Sequence, residues 1–144
     1  MRPRCRCVSR ALRAAAVAAV LGFTFAGGPA HAGQWPEFRH GKWRFVRTVN
    51  GRKIESTRCL NPSEDMKRQN AMLEKAGCKS SPVRRSGNTY TFTSNCSVRG
   101  LKSRTTSVIT VESPDAYRLA VDGVNDGVAT KEVLVARRIG GCGK

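Results

Sequence analysis

Downstream of residue 32 the chain alternates between apolar and polar positions. From Lys42 to Val49, the residues Trp43, Phe45 and Val49 fall on one side of a period-two pattern, which predicts a half-buried strand. Asn50-Gly51 follows and predicts a two-residue hairpin, because both central residues of a type I′ turn need positive φ. The return strand then runs from about Arg52 to Leu60. Over the next residues the period becomes helical. Asn61 suits an N-cap, Pro62 the first helical position and Glu64 the first turn. Met66, Leu73 and Ala76 share one face and Gly77 supplies a stop, so a helix is predicted over Pro62–Ala76. The remainder reads as strand and turn. Lys79–Arg85 and Thr89–Ser97 flank Ser86-Gly87-Asn88, with Tyr90 and Phe92 alternating. Arg104–Glu112 ends at Ser113-Pro114-Asp115, and Tyr117, Leu119 and Val121 alternate in the strand after it. A loop is predicted over Gly123–Gly127 and a last strand over Thr130–Ile139. These elements predict a mainly β fold: an antiparallel up-and-down meander of about seven strands, a curved sheet or small barrel, with one short inserted helix.

The first thirty-two residues follow another pattern. Arg2, Arg4, Arg6, Arg10 and Arg13 come without an acid, an apolar run spans Ala14 to Ala26, and Gly27-Gly28-Pro29 leads to Ala30-His31-Ala32. Basic, apolar and small-x-small regions in that order are the parts of a secretory signal peptide. As a helix the apolar run would reach only ~20 Å, short of the ~30 Å hydrocarbon core, so cleavage after Ala32 is expected rather than anchoring. The expected organisation is a signal peptide over 1–32 and one β-rich domain over 33–144, periplasmic or secreted, with no transmembrane segment after cleavage.

Compartment changes the reading of the cysteines. Cys59, Cys78, Cys96 and Cys142 follow the leader, and an even count in a small exported domain predicts two disulfides. Gly87 lies midway between Cys78 and Cys96, so a hairpin turning there sets the two opposite each other, within disulfide range. Joining Cys59 to Cys78 would instead tie together helix ends roughly 22 Å apart. The expected pairs are therefore Cys78–Cys96 and Cys59–Cys142. No Cys-x-x-Cys is present and His40 is the only further nitrogen ligand, so neither a metal site nor any cofactor is expected.

The ordered set Gly41-Lys42-Trp43, Asn50-Gly51, Thr57-Arg58-Cys59-Leu60, Pro62, Gly77-Cys78, Ser86-Gly87-Asn88, Cys96, Tyr117 and Arg138-Ile139-Gly140-Gly141-Cys142 resembles the exported proteobacterial proteins catalogued as domain of unknown function 3617. The resemblance spans Gly41 to Cys142 and implies a small exported β-rich domain with no assigned activity. Two features depart from it: a short, arginine-rich first hairpin in place of a longer, methionine-rich one, and Gly141 where a polar residue often stands. Gly41-x-Trp43 is also similar to the opening of lipocalins. That likeness implies structural roles for Gly41 and Trp43, with Arg137 or Arg138 over the tryptophan.

The chain carries 26 Lys plus Arg against 10 Asp plus Glu, a net charge of +16. His40 is the one histidine after the leader, and the acids are scattered. No nucleophile–base pair or phosphate-cradling loop is legible, and an enzyme is not expected. Arg44, Arg47, Arg52, Lys53 and Arg58 gather on the first hairpin, Arg84 and Arg85 on the second, and Arg137 and Arg138 on the last strand. The first group is the candidate anion-binding set, and a polyanion such as lipopolysaccharide or an acidic glycan is the candidate partner. Interleaved aromatics are too few to favour nucleic acid. The expected role is non-catalytic binding in the cell envelope. The alternatives are a carrier whose barrel-like pocket holds a small apolar ligand among Trp43, Phe45, Tyr90, Phe92 and Tyr117, and an envelope protein-interaction module.

Overall fold

The computed structural model describes residues 33–143; the expected leader lies outside the described residues. Eight strands and one helix follow in order: β1 (Gly41–Val49), β2 (Arg52–Leu60), α1 (Pro62–Lys75), β3 (Lys79–Ser80), β4 (Arg84–Ser86), β5 (Thr89–Val98), β6 (Leu101–Ser113), β7 (Ala116–Asn125) and β8 (Val128–Gly140). They form one antiparallel sheet in the order β2-β1-β8-β7-β6-β5-β3, with β4 also on β5. The sheet is open. β2 closes one edge, and the short β3 and β4 the other.

Strand alternation gives the sheet two faces. Trp43 and Phe45 of β1, Ala136 and Leu134 of β8, Tyr117 and Leu119 of β7, Ile109 of β6 and Tyr90 of β5 line up through the registers on a core face. Trp43 and Ala136 are fully buried, and Ile109 and Tyr117 nearly so. The segment ahead of β1 lies across this face. Gly33 donates its N–H to the Val83 carbonyl at 2.8 Å, and Trp35 meets Phe92 edge-on at 5.0 Å. Pro36 is fully buried. Phe38 stacks on Tyr117 at 4.6 Å and meets Trp43 edge-on at 5.9 Å. Its amide donates to the buried Ser63 hydroxyl at 2.8 Å, which pins the segment to the first turn of α1.

The helix begins as the sequence predicts. Asn61 caps it by accepting from the Ser63 amide at 2.9 Å, and Pro62 occupies the first turn. Its predicted apolar face does not pack along its length: only Pro62 and Ser63 are buried, Met66 is half-buried, and Met72 and Leu73 are exposed. The lead-in already covers the core face, so α1 docks by its first turns alone.

Three further differences have local causes. The predicted strand over Lys79–Arg85 is two short strands, since Pro82 lacks an N–H for the ladder and Val83 turns into the core, 4% exposed. The predicted loop Gly123–Gly127 is mostly strand, and the turn is only Asp126-Gly127, both at positive φ. Gly123 is held within β7, where a Cβ would press on Thr130 Oγ1 and Thr105 Cγ2 at 3.0 and 3.1 Å. The hairpin at Gly87-Asn88 is centred half a residue later than expected. A one-residue change of register between the β3 and β4 pairings with β5 brings Cys78 back opposite Cys96.

Both expected disulfides are present: Cys78–Cys96 with Cα atoms 4.1 Å apart and Cys59–Cys142 with 5.7 Å. The loops they close, 18 and 83 residues apart in sequence, correspond to upper figures of about 3 and 4.5 kcal/mol in the chain-entropy account. Replacing Cys59 and Cys142 by Ser should therefore lower the denaturant midpoint further than replacing Cys78 and Cys96. A second measurement probes the start of β1. An alanine Cβ at Gly41 would fall onto the Arg138 side chain and within 2.6 Å of the Gly140 carbonyl. Gly41→Ala should destabilise the fold by about 1–3 kcal/mol, read as a drop of several degrees in Tm.

Candidate anion-binding surface

The first hairpin does not present its cations as one stripe. Arg44 and Arg47 are three residues apart on β1, so the period of two sends them to opposite faces. The register places Arg47, Arg52 and Arg58 on the core-face side, and Arg44 and Lys53 on the outer side. Carboxylates meet three of the five. Arg44 donates to both oxygens of Glu55, at 2.6 and 2.9 Å. Arg47 pairs with Glu132 at 2.6 Å, and Arg58 lies 3.9 Å from Asp65. Its hydrogen bond from Arg44 holds the Glu55 carboxyl below its ordinary range, and the same bond raises Arg44. Arg137 pairs with Glu112, and Arg138 approaches Asp115. Arg85 lies over the Tyr90 ring, 5.3 Å from its centroid.

The candidate structural residues do meet. Trp43 lies opposite Arg138 in the β1–β8 ladder and donates its indole N–H to the Arg39 carbonyl at 3.0 Å. Arg138 Nε donates to the His40 carbonyl at 3.0 Å, over the Gly41 position.

Among the described residues, the cations with no carboxylate within 4.0 Å include Arg52, Lys53, Lys79, Arg84, Arg99, Lys102, Arg104 and Arg118. Several gather at one end of the sheet. Antiparallel pairing puts the β1–β2, β5–β6 and β7–β8 turns on the same side, and in each both central residues have positive φ: Asn50-Gly51, Arg99-Gly100 and Asp126-Gly127. The first turn is set back, since Asn50 hydrogen-bonds Lys131 while β8 continues to Val128. The other two project together, tied by Lys102 and Asp126, each donating its amide to the other residue at 2.9 and 2.8 Å. Arg99, Lys102 and Arg104 flank these two tips. Lys79, Asn95 and Arg104 form one lateral row on the outer face. Four exposed aliphatics stand at the same end: Val124, at 47% exposure, on the outer face with Lys102 and Arg104, and Leu101 at 64%, Val128 at 65% and Val98 at 38% on the core-face side. Sequence reading missed this cluster because Arg99-Gly100 carries a weak turn signal and the apolar tips look like ordinary strand residues. The spaced cations Arg99, Lys102 and Arg104 around the start of β6 were the available cue.

The expected apolar pocket is largely filled. Trp43, Tyr90 and Tyr117 are core, Phe92 packs on Trp35, and Phe45 alone reaches an open groove with part of Tyr117. That groove, about 390 Å³, runs between the sheet and α1. Arg47, Glu132, Arg58 and Asp65 line it beside Leu119 and Leu134, so its walls are charged. At the opposite end from the hairpin tips, His40 lies beside the Cys59–Cys142 bridge, with ring nitrogens 3.8 and 3.9 Å from Cys142 Sγ.

This is a disulfide-stapled open β-meander with a cationic, apolar-tipped end. The sequence model of a family described as "protein of unknown function (DUF3617)" matches residues 38–142, and the chain belongs to that family. No curated protein and no solved structure matches it. The two disulfides point to a non-cytoplasmic setting, and no helix among the described residues is long and apolar enough to cross a membrane.

One buried group gives the fold a pH dependence. Burial pushes the Tyr117 phenol above its ordinary range, with the Asp65 charge adding to the effect. Above about pH 10 the unfolded phenol ionises while the native one stays protonated, so stability present below that pH falls as pH rises through the interval. Tyr117→Phe should flatten this alkaline loss in thermal melts. Ultraviolet titration of the parent should show one phenol ionising only on unfolding.

Proposed function

We propose that the protein is a non-catalytic binding module of the cell envelope, exported to the periplasm or beyond. In this reading the β5–β6 and β7–β8 tips contact a membrane surface carrying phosphate groups, such as lipopolysaccharide or acidic phospholipid. The observation that supports it is the combination at these tips. Among the described residues Arg99, Lys102 and Arg104 have no carboxylate partner, while Leu101 and Val128, each about two-thirds exposed, project from the same end on the other side of the sheet. An anionic headgroup layer attracts such cations at roughly 1 kcal/mol each, and aliphatic tips enter the boundary beneath. The two-residue turns hold both tips rigid, so contact orders little chain. Arg52 and Lys53, on the set-back first turn, add to the long-range field. Arg44, Arg47 and Arg58, already matched by acids, contribute little net charge.

The test is flotation of the 33–144 chain, which holds all described elements and both disulfides, with vesicles containing lipopolysaccharide or phosphatidylglycerol at increasing salt. Binding should fall steeply with salt, as for other charge-driven association. Arg99→Gln with Lys102→Gln and Arg104→Gln should weaken it about a hundredfold. Arg44→Gln with Arg47→Gln should leave it nearly intact, and Leu101→Ser with Val128→Ser should remove the salt-resistant part. No binding at low salt, or equal loss from both arginine sets, would overturn the reading.

A further inference from the structure

Three residues far apart in sequence meet where β1 begins. Cys59 on β2 lies opposite Lys42 on β1, and Lys42 pairs on its other side with Gly140 at the end of β8. Cys142 follows two residues on, so the Cys59–Cys142 bridge straps the elements on either side of β1 across its first residues. His40, one residue ahead of β1, lies alongside. One donor atom from each of His40, Cys59 and Cys142 falls within 4.8 Å of the others, and among the described residues no other group of three His, Cys, Asp or Glu comes as close. A small hollow of about 210 Å³, lined by Lys42, Thr57 and Arg58, opens beside the bridge.

The two disulfides differ in access. Cys78 is 6% exposed and Cys96 half-buried, whereas Cys59 is exposed and Cys142 half-buried. A dithiol meets the Cys59–Cys142 bridge first, since exchange proceeds by direct attack on a sulfur. We propose that this bridge is the oxidised form of a zinc site: once it is opened, Cys59, Cys142 and His40 bind one Zn²⁺. The chemistry balances in two steps. An external dithiol gives two electrons and two protons, leaves as its own disulfide, and frees two thiols. Zn²⁺ then displaces two thiol protons and takes the imidazole nitrogen as third ligand.

Two thiolates and an imidazole are a zinc donor set. With Zn–S near 2.3 Å and Zn–N near 2.1 Å, donors around one tetrahedral ion sit roughly 3.5–4 Å apart. The 3.8 and 3.9 Å from Cys142 Sγ to the His40 nitrogens already match. The 5.7 Å between the Cys59 and Cys142 Cα atoms lets both sulfurs share the ion through side-chain rotation. Two thiolates, a neutral imidazole and Zn²⁺ carry no net charge, so Lys42 and Arg58 beside them do not oppose binding. The hollow leaves room for water as fourth ligand. Strap and metal site are thereby interchangeable: either one ties β2 to the tail of β8.

Cobalt and then zinc would be titrated into the 33–144 chain, which lacks Cys5 and Cys7, with and without a phosphine reductant. The reduced chain should take up one Co²⁺ with thiolate-to-cobalt charge-transfer bands that Zn²⁺ abolishes, and the oxidised chain none. Cys59→Ser with Cys142→Ser should remove the bands. His40→Ala should weaken binding by at least roughly tenfold, a loss that even outer partners of zinc ligands cause. Bands that survive the double serine change would assign the metal to Cys78 and Cys96 and overturn the proposal. A second variant, Cys59→His with Cys142→His, keeps the Cys78–Cys96 bridge and needs no reductant. It should gain several degrees in Tm on adding Zn²⁺, and a folded variant indifferent to Zn²⁺ would equally overturn the site.

Discussion

Phe38, held between Tyr117 and Trp43 at 4.6 and 5.9 Å, is the contact on which the fold depends. An open antiparallel sheet leaves one apolar face to be covered, and a sheet this size is not stable with both faces in water. Here the cover is not a second sheet, and α1 contributes little more than its first turns. The eight residues ahead of β1 do most of it, with Trp35, Pro36 and Phe38 laid across the strands. The hydrogen bond from the Phe38 amide to Ser63 couples this strap to the helix, and Arg39 adds one to the Pro114 carbonyl. Losing the Phe38 ring would thus expose Trp43 and Tyr117 together.

Much of this architecture was legible because it is written in short-range signals. The period-two runs, the Asn50-Gly51 turn and the Asn61-Pro62 helix start depend on neighbouring residues, and they come out where expected. The Cys78–Cys96 bridge followed from hairpin symmetry and Cys59–Cys142 as the pair that remained, although symmetry about Gly87 held only because the break at Ser81–Val83 shifts the register to compensate. The role of residues 35–38 was not legible. Trp35, Pro36 and Phe38 show no period, so nothing local marks them as core. The exposed Leu73 is the mirror case: its helical spacing implies a partner that tertiary structure had already given to the lead-in.

The charges teach the same lesson. Arg44, Arg47, Arg52, Lys53 and Arg58 are a cluster in the sequence, but pleating divides them between two faces, and Glu55, Glu132 and Asp65 meet three of them. Glu132 is eighty-five residues from Arg47, a neutralisation that only β1–β8 pairing reveals. Among the described residues, the unmatched cations Arg99, Lys102 and Arg104 lie within six residues, in the β5–β6 turn and at the start of β6, a turn that sequence signals left faint. Net charge said that the surface is basic. Topology decided where that charge is free.

The pairing of β1 with β8 carries a consequence for how the chain reaches this state. The first strand waits for the last, because Trp43 is sealed only when Ala136 and Arg138 arrive beside it, and Cys59 meets its partner only when Cys142 is available. Contacts of such sequence separation delay folding, and they cannot form while the C-terminal strand is still being delivered. A chain emerging N-terminus first would hold its early hairpin and helix without β8 beside β1 and without the Cys59–Cys142 bridge. The β1–β8 ladder and the Cys59–Cys142 bridge would close last, after the whole polypeptide has arrived.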